Sequence, residues 1–106
     1  MNSDYSVLHK NYDKVRKASE EVLNYLKEKI NNKVKILEIG CGTGNYITEI
    51  NKGNNKELWG VDFSIDMIKI AEEKDKSIRF IVDDAQTLKL LPKNYFDVIY
   101  MVDVVH

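Results

Sequence analysis

The feature that most limits what this chain can fold into is a short apolar run, Val34 to Ile39, that ends in Gly40-Cys41-Gly42-Thr43-Gly44. Such a run, bounded by Asn31 and Asn32 on one side and by glycines on the other, fits a buried strand. After the glycines the period changes: from Asn45 to about Lys52, Tyr46, Ile47 and Ile50 fall on one side of a helix. Glycines between a strand and a helix let the backbone turn sharply and approach a ligand, because a Cβ would collide with it. Strand, glycine turn and helix in succession predict an α/β unit with a binding loop at the carboxyl end of the strand.

The same alternation continues on both sides. Upstream, Val15, Ala18, Val22, Leu26 and Ile30 recur at three- and four-residue steps among Lys, Glu and Arg, which predicts an amphipathic helix capped by Asp13. Downstream, Gly53-Asn54-Asn55 marks a turn before a second strand at 58–61. Ser64 suits the cap and Asp66 the first turn of a third helix running to about Lys74, with Ile65, Ile68 and Ala71 as its inward stripe. Ile78 to Val82 reads as a third strand and, after a loop containing Pro92, Phe96 to Val102 as a fourth.

Right-handed crossovers between parallel strands place the helices after the first two strands on one face. The expected architecture is α/β: a doubly wound, Rossmann-like parallel sheet, incomplete, of about four strands with helices mainly on one face. Residues 1–32 are expected to form an N-terminal helical region and 33–106 the β/α core of a single partial domain. In the last strand Phe96, Val98, Tyr100 and Val102 alternate with Ile99 and Met101, so both sides of the sheet are apolar and a second layer is expected. Asp103 to His106 read only as the opening of a further helix. The sequence therefore reads as the front part of a larger domain, or as a fragment whose copies pair into a homo-oligomer that covers the bare face.

Composition narrows the partners. With 106 residues the chain holds one domain and not two. Sixteen Lys+Arg against seventeen Asp+Glu leave a net charge of −1, with no basic excess for a phosphate backbone or an anionic membrane, so nucleic acid is not favoured. No apolar run approaches the ~20 residues of a membrane span, and no membrane partner is expected. The lone Cys41 provides neither an internal disulfide nor a multi-cysteine metal site; no metal is expected, and the cytoplasm is the expected compartment. His9 and His106 read as surface or packing positions, and Lys27, Lys29, Lys33 and Lys35 as a solvated face.

The chemistry is concentrated around the glycines. Asp62 ends the second strand twenty positions after Gly42, where a carboxylate at a neighbouring strand tip can accept hydrogen bonds from both hydroxyls of a ribose. An adenosine-type cofactor follows. The dinucleotide fingerprint needs a glycine where this chain has Asn45, with Gly44 one place early, so a pyrophosphate is less well served. Glu38 adds a negative charge that repels a diphosphate and attracts an ammonium or sulfonium group.

The run VKILEIGCGTGNY followed by LWGVDFSIDMIKIA, with the order E-x-G-x-G-x-G from Glu38 to Gly44, closely resembles the class I S-adenosylmethionine-dependent methyltransferases. The likeness continues through Val82-Asp83-Asp84-Ala85 and Tyr95-Phe96-Asp97-Val98-Ile99, and spans about the first half of the family's domain. The resemblance implies S-adenosyl-L-methionine as cofactor and makes 33–106 the cofactor-binding core. It also implies that Glu38, Gly40, Gly42 and Gly44 surround the methionine portion; Cys41, without a His or Cys companion at metal spacing, reads as a small buried or ligand-adjacent residue of that cofactor-binding loop that performs no chemistry itself. Asp62 would bind the ribose, Phe63 and Met67 would flank the adenine, Asp84 would receive its amino group, and the Ala85 amide would meet a ring nitrogen. Leu90-Leu91-Pro92 comes later than the family's leucine-proline, and Tyr5 and Tyr12 are candidates for a lid.

A sulfonium methyl is already activated, so holding the acceptor in line behind it is the main task. No catalytic residue is assigned; Asp103 and His106 are the candidates if the acceptor needs a base. The expected activity is methyl transfer from S-adenosylmethionine to an unidentified acceptor, a small molecule or other. Two alternatives stand beside it: the dinucleotide-binding fragment of an NAD(P)-dependent oxidoreductase, supported by Gly40, Gly42 and Asp62 but opposed by Asn45 and Glu38, and a non-catalytic module that associates through its uncovered sheet.

Overall fold

A computed structural model describes residues 4–9, 18–52, 55–84 and 88–103, of which 4–9 and 103 are described by backbone alone. The elements are β1 (Asp4–His9), α1 (Glu20–Lys29), β2 (Lys35–Ile39), α2 (Asn45–Asn51), β3 (Glu57–Asp62), α3 (Ile65–Lys74), β4 (Arg79–Val82) and β5 (Val98–Asp103). The strands form one sheet in the order β1-β5-β2-β3-β4, and every neighbouring pair is parallel.

Four of these strands are the ones expected, and β1 is an addition within the 1–32 segment that was expected to be helical. It pairs with β5 from Asp4 opposite Val98 to His9 opposite Asp103, and so covers an edge that β5 would otherwise leave open. Asp103 ends β5 rather than opening a helix, because its backbone is held in that ladder. Asp13, Val15 and Tyr12 lie outside the described residues, as do Ala85 and His106. The described part of α1 is capped by Ser19, whose hydroxyl accepts from the Val22 amide at 3.5 Å. Glu20 and Glu21 in its first turn and Lys27 and Lys29 in its last complement the helix dipole.

From β2 through α2, β3 and α3 to β4 the chain moves steadily across the sheet. It then reverses past β3 and β2 to lay down β5. One face is packed by the helices: Val22 and Leu26 of α1, Ile30 that caps it, and Tyr46, Ile47 and Ile50 of α2 cluster with Ile36, Leu58, Val98 and Tyr100. In α3, Ile68 and Ala71 point inward as expected, but Ile65 is 56% exposed, because the first residue of the helix faces away from the sheet.

The opposite face, expected to be bare, is covered over β2 and β3 by the chain's own return connection. Leu88, Leu91 and Tyr95 pack there on Leu37, Ile39, Trp59, Val61 and Phe96. Phe96, expected on the face of Val98, Tyr100 and Val102, joins the other face because the β5 ladder begins only at Val98. Trp59, Tyr95 and Phe96 meet edge to face at centroid distances of 5.3 to 5.8 Å. The Glu57 carboxylate accepts from the Trp59 indole at 2.8 Å and from the Tyr95 hydroxyl, and these bonds hold its carboxyl below the ordinary range.

Ahead of β3, the Lys56 ammonium donates to three carbonyls at the end of α1: Ile30 at 3.0 Å, Asn31 at 3.1 Å and Lys33 at 2.6 Å. A cation there satisfies helix-end acceptors and opposes the negative end of the dipole. Lys56→Met should lower the stability by about 1 kcal/mol while leaving ligand binding alone, since the site is at the other end of the sheet. An unchanged urea midpoint would show that water replaces the ammonium at no cost.

Candidate functional site

The reversal of strand order between β2 and β5 makes a topological switch point at the carboxyl ends of these strands, the place where open α/β sheets bind ligands. The residues singled out from the sequence converge on that end. β2 runs into Gly40, Cys41, Gly42, Thr43 and Gly44, and β3 ends at Asp62.

All three glycines of the loop hold positive φ: +71° at Gly40, +57° at Gly42 and +81° at Gly44, which also caps α2. A side chain is strained in that region. Among the described residues an added Cβ at Gly40 or Gly42 would meet nothing within 4 Å, which leaves open space over that part of the loop; at Gly44 it would sit tightly against Ala71 at 3.3 Å and in contact with Thr48 at 3.4 Å and Phe80 at 3.5 Å. Gly44 is therefore a packing glycine, whereas Gly40 and Gly42 leave room for a ligand.

β3 holds the loop from the side. The Val61 carbonyl accepts from the amides of Gly40 at 2.8 Å and Cys41 at 3.0 Å. Asp62 is 9% exposed; its Oδ2 accepts from the Gly42 amide at 2.8 Å and its Oδ1 from the Ser64 amide at 2.9 Å. The Gly44 amide donates to the Cys41 carbonyl at 2.9 Å. Four loop donors are thus used within the fold. A loop that cradles a diphosphate presents such amides to the anion; this one offers space bordered by carboxylate instead.

Glu38 is 2% exposed and faces the helix layer, opposite Tyr100 on β5 and Gly60 on β3. Burial drives its carboxyl well above the ordinary range, the Tyr100 hydroxyl and the Ile47 amide pull it back, and the charge of Asp62 pushes it up again. Although the two side chains are neighbours, neither Glu38 Oε1 nor the Tyr100 hydroxyl has a hydrogen-bond partner of good geometry among the described residues. Cys41 is buried, and its thiol is pushed far up by desolvation and by the charges of Glu38 and Asp62, so it is inert as a nucleophile.

Phe63 follows Asp62 and is 81% exposed, and Met67 in the first turn of α3 is 43% exposed; both are large apolar side chains open to a flat partner. At the tip of β4, Asp83 accepts from the amides of Asp84 at 2.7 Å and Leu90 at 2.9 Å and so ties the connecting loop. Asp84 is exposed. Ala85, assigned beside it, lies outside the described residues. Sequence reading missed Gly60, Phe80 and Tyr100. The signal for the first was a lone glycine inside a strand, a mark of close approach.

No group of three or more His, Cys, Asp or Glu side chains gathers as metal ligands among the described residues, and no described helix is long and apolar enough to cross a membrane.

A doubly wound α/β domain with a glycine loop at its switch point and acids at the adjoining strand tips belongs to the nucleoside-binding class. Residues 36–106 match the family model described as "Methyltransferase domain", and the chain belongs to that family. It is 33% identical over 94% of its length to malonyl-[acyl-carrier protein] O-methyltransferase 2 of Ilyobacter polytropus, covering 40% of that protein. It is also 33% identical over 76% of its length to carboxy-S-adenosyl-L-methionine synthase of Helicobacter pylori, covering 36% of that protein. Among solved structures, the PH0226 protein of Pyrococcus horikoshii superposes with a TM-score of 0.67 at 32% identity, over 76% of this chain and 39% of that one. The plantazolicin methyltransferase BpumL, solved in complex with SAH, superposes with a TM-score of 0.59 at 28% identity, over 76% of this chain and 32% of that one. The chain thus spans about two-fifths or less of the length of these relatives.

Proposed function

We propose that this chain is the cofactor-binding part of an S-adenosylmethionine-dependent methyltransferase acting on an acceptor still to be identified. The observation that supports this most directly is the glycine loop, open above Gly40 and Gly42 among the described residues yet with the amides of Gly40, Cys41 and Gly42 already engaged by Val61 and Asp62. Such a loop admits a compact, positively charged group and gives little to a diphosphate. The space over the glycines suits the methionine portion, Asp62 the ribose and the exposed Phe63 and Met67 the adenine, with Asp84 at its edge. A carboxylate has about four acceptor sites, so Asp62 can clamp Gly42 and Ser64 and still receive a hydroxyl.

When bound, S-adenosylmethionine supplies a methyl group already activated on sulfonium. What the chain's residues contribute is placement: a fixed loop, a ribose acceptor and two exposed apolar side chains to flank the adenine, which together hold the donor in one orientation. Cys41 takes no part. A cytoplasmic setting accords with the single buried thiol.

Titration calorimetry with S-adenosylmethionine, S-adenosylhomocysteine and NAD tests the reading. Saturable heat with the first two and none with NAD is expected. Heat with NAD alone would transfer the site to the oxidoreductase alternative.

A further inference from the structure

A cross-strand row on the helix-facing side of the sheet runs Tyr100, Glu38, Gly60, Phe80 through the registers of β5, β2, β3 and β4. Within it Gly60 is the gap. A Cβ there would lie 2.8 Å from both Cδ1 and Cε1 of Phe80 and 3.0 Å from Cys41 Sγ. The far tip of the same ring, Cζ, lies 3.5 Å from where a Cβ of Gly44 would be. One aromatic ring, rooted on the edge strand, thus lies across β3 and ends beneath the last glycine of the loop, while the thiol of Cys41 shares the hollow over Gly60. Cys41 and Gly44, near the two ends of the loop, both lie close to the hollow over Gly60 that the Phe80 ring occupies.

We infer that Phe80, seated in the gap of Gly60, is a positioning residue that sets the height of the cofactor loop; the inference rests on the methyltransferase reading above. The physical reason is that the loop has two kinds of support. Hydrogen bonds from Val61 and Asp62 fix it laterally, through the amides of Gly40, Cys41 and Gly42. They leave Gly44 without such an anchor to β3, although its carbonyl starts α2. Phe80, Ala71 and Thr48 line the space beside that end, each 3.3 to 3.5 Å from where a Gly44 Cβ would stand. Interiors are close-packed and bistable rather than elastic, so removing the ring tip lets the loop settle into the hollow instead of staying in place.

Phe80→Leu shortens the side chain so that it no longer reaches Gly44. In the full chain, S-adenosylhomocysteine affinity is expected to fall by about tenfold at a temperature well below the unfolding transition. Leu26→Val, a buried α1 substitution remote from the loop, provides the control: it lowers the melting temperature but leaves that affinity within about twofold. Gly60→Ala alone should also weaken binding, through its clash with the ring, and should do less harm in the Phe80→Leu background, where the clash is relieved. Amide hydrogen exchange of the ligand-free protein gives a readout independent of cofactor: Phe80→Leu should accelerate exchange at Cys41, Gly42 and Gly44 and leave α1 unchanged. Failure of the parent chain to bind S-adenosylmethionine or its homocysteine product would overturn the proposed function, and the exchange pattern would still decide the role of Phe80. Unaltered loop exchange, or an affinity loss no larger than that of Leu26→Val, would overturn the inference.

Discussion

Asp62→Ala is expected to weaken S-adenosylmethionine and S-adenosylhomocysteine alike, by about 1–3 kcal/mol, and to cost about 2–4 kcal/mol of folding stability. Both losses come from one carboxylate. Its Oδ2 is the acceptor for the Gly42 amide and its Oδ1 the acceptor for the Ser64 amide, at 2.8 and 2.9 Å, in a place that is 9% exposed. Removing it strands two amide donors near the interior and frees a glycine whose positive φ the clamp helps to hold. The ribose acceptor goes at the same time. Equal losses for the two ligands are expected because they share the ribose and differ only at sulfur. Asp62→Asn separates the contributions poorly, since its amide nitrogen would face an N–H donor. Calorimetry together with urea denaturation checks the result: lowered stability with unchanged affinity would reduce Asp62 to a loop clamp, and no change in either would remove both roles.

How much of this was legible in the sequence follows from the range of the interactions involved. The loop, its flanking strand and helix, and the Ser64 cap are local, and each rests on residues within a few positions of one another; all are present, with Met67 donating to Ser64 at 3.3 Å. Asp62 could be placed because a βαβ unit fixes the distance between strand tips. What could not be read was what the tips do to each other. The clamp from Asp62 to Gly42 turns an expected ligand contact into a structural one as well, and nothing in the spacing distinguishes the two. The Phe80 ring over Gly60 depends on register between β3 and β4, which is set by the whole sheet. The return connection over β2 and β3 was missed because Leu88, Leu91 and Tyr95 lie in a loop without periodicity. β1 was missed because a helical pattern further on was extended backwards over a short segment that pairs only with the most distant strand.

Glu38 leads to the second large effect, a pH dependence that runs opposite to that of an ordinary acid pair. Its carboxyl is raised well above the usual 4.5, first by burial and further by the charge of Asp62, against the smaller pull of Tyr100 and Ile47. A raised folded-state value means that the native protein prefers the proton. Its contribution is therefore complete below pH about 4.5 and is lost as pH rises through the folded-state value, by about 1.4 kcal/mol for each unit of separation. Glu57 and Asp97, held below their ordinary values by hydrogen bonds at the surface, act in the other sense, losing stability as pH falls. They lie outside the buried row and are screened by water, so they set the acid limb only. Glu38→Gln keeps the shape, carries no charge at any pH and can offer its amide to the unpartnered Tyr100 hydroxyl. The variant should match the parent near pH 4.5 and exceed it increasingly as pH rises, with the gap visible as diverging urea midpoints. Glu38→Leu, equally uncharged, should gain less, because it leaves the Tyr100 hydroxyl buried without a partner. Parallel midpoint curves for parent and Glu38→Gln would mean that the carboxyl is solvated in the native protein, and that it reaches the open space over Gly40 and Gly42 rather than lying sealed beneath the loop.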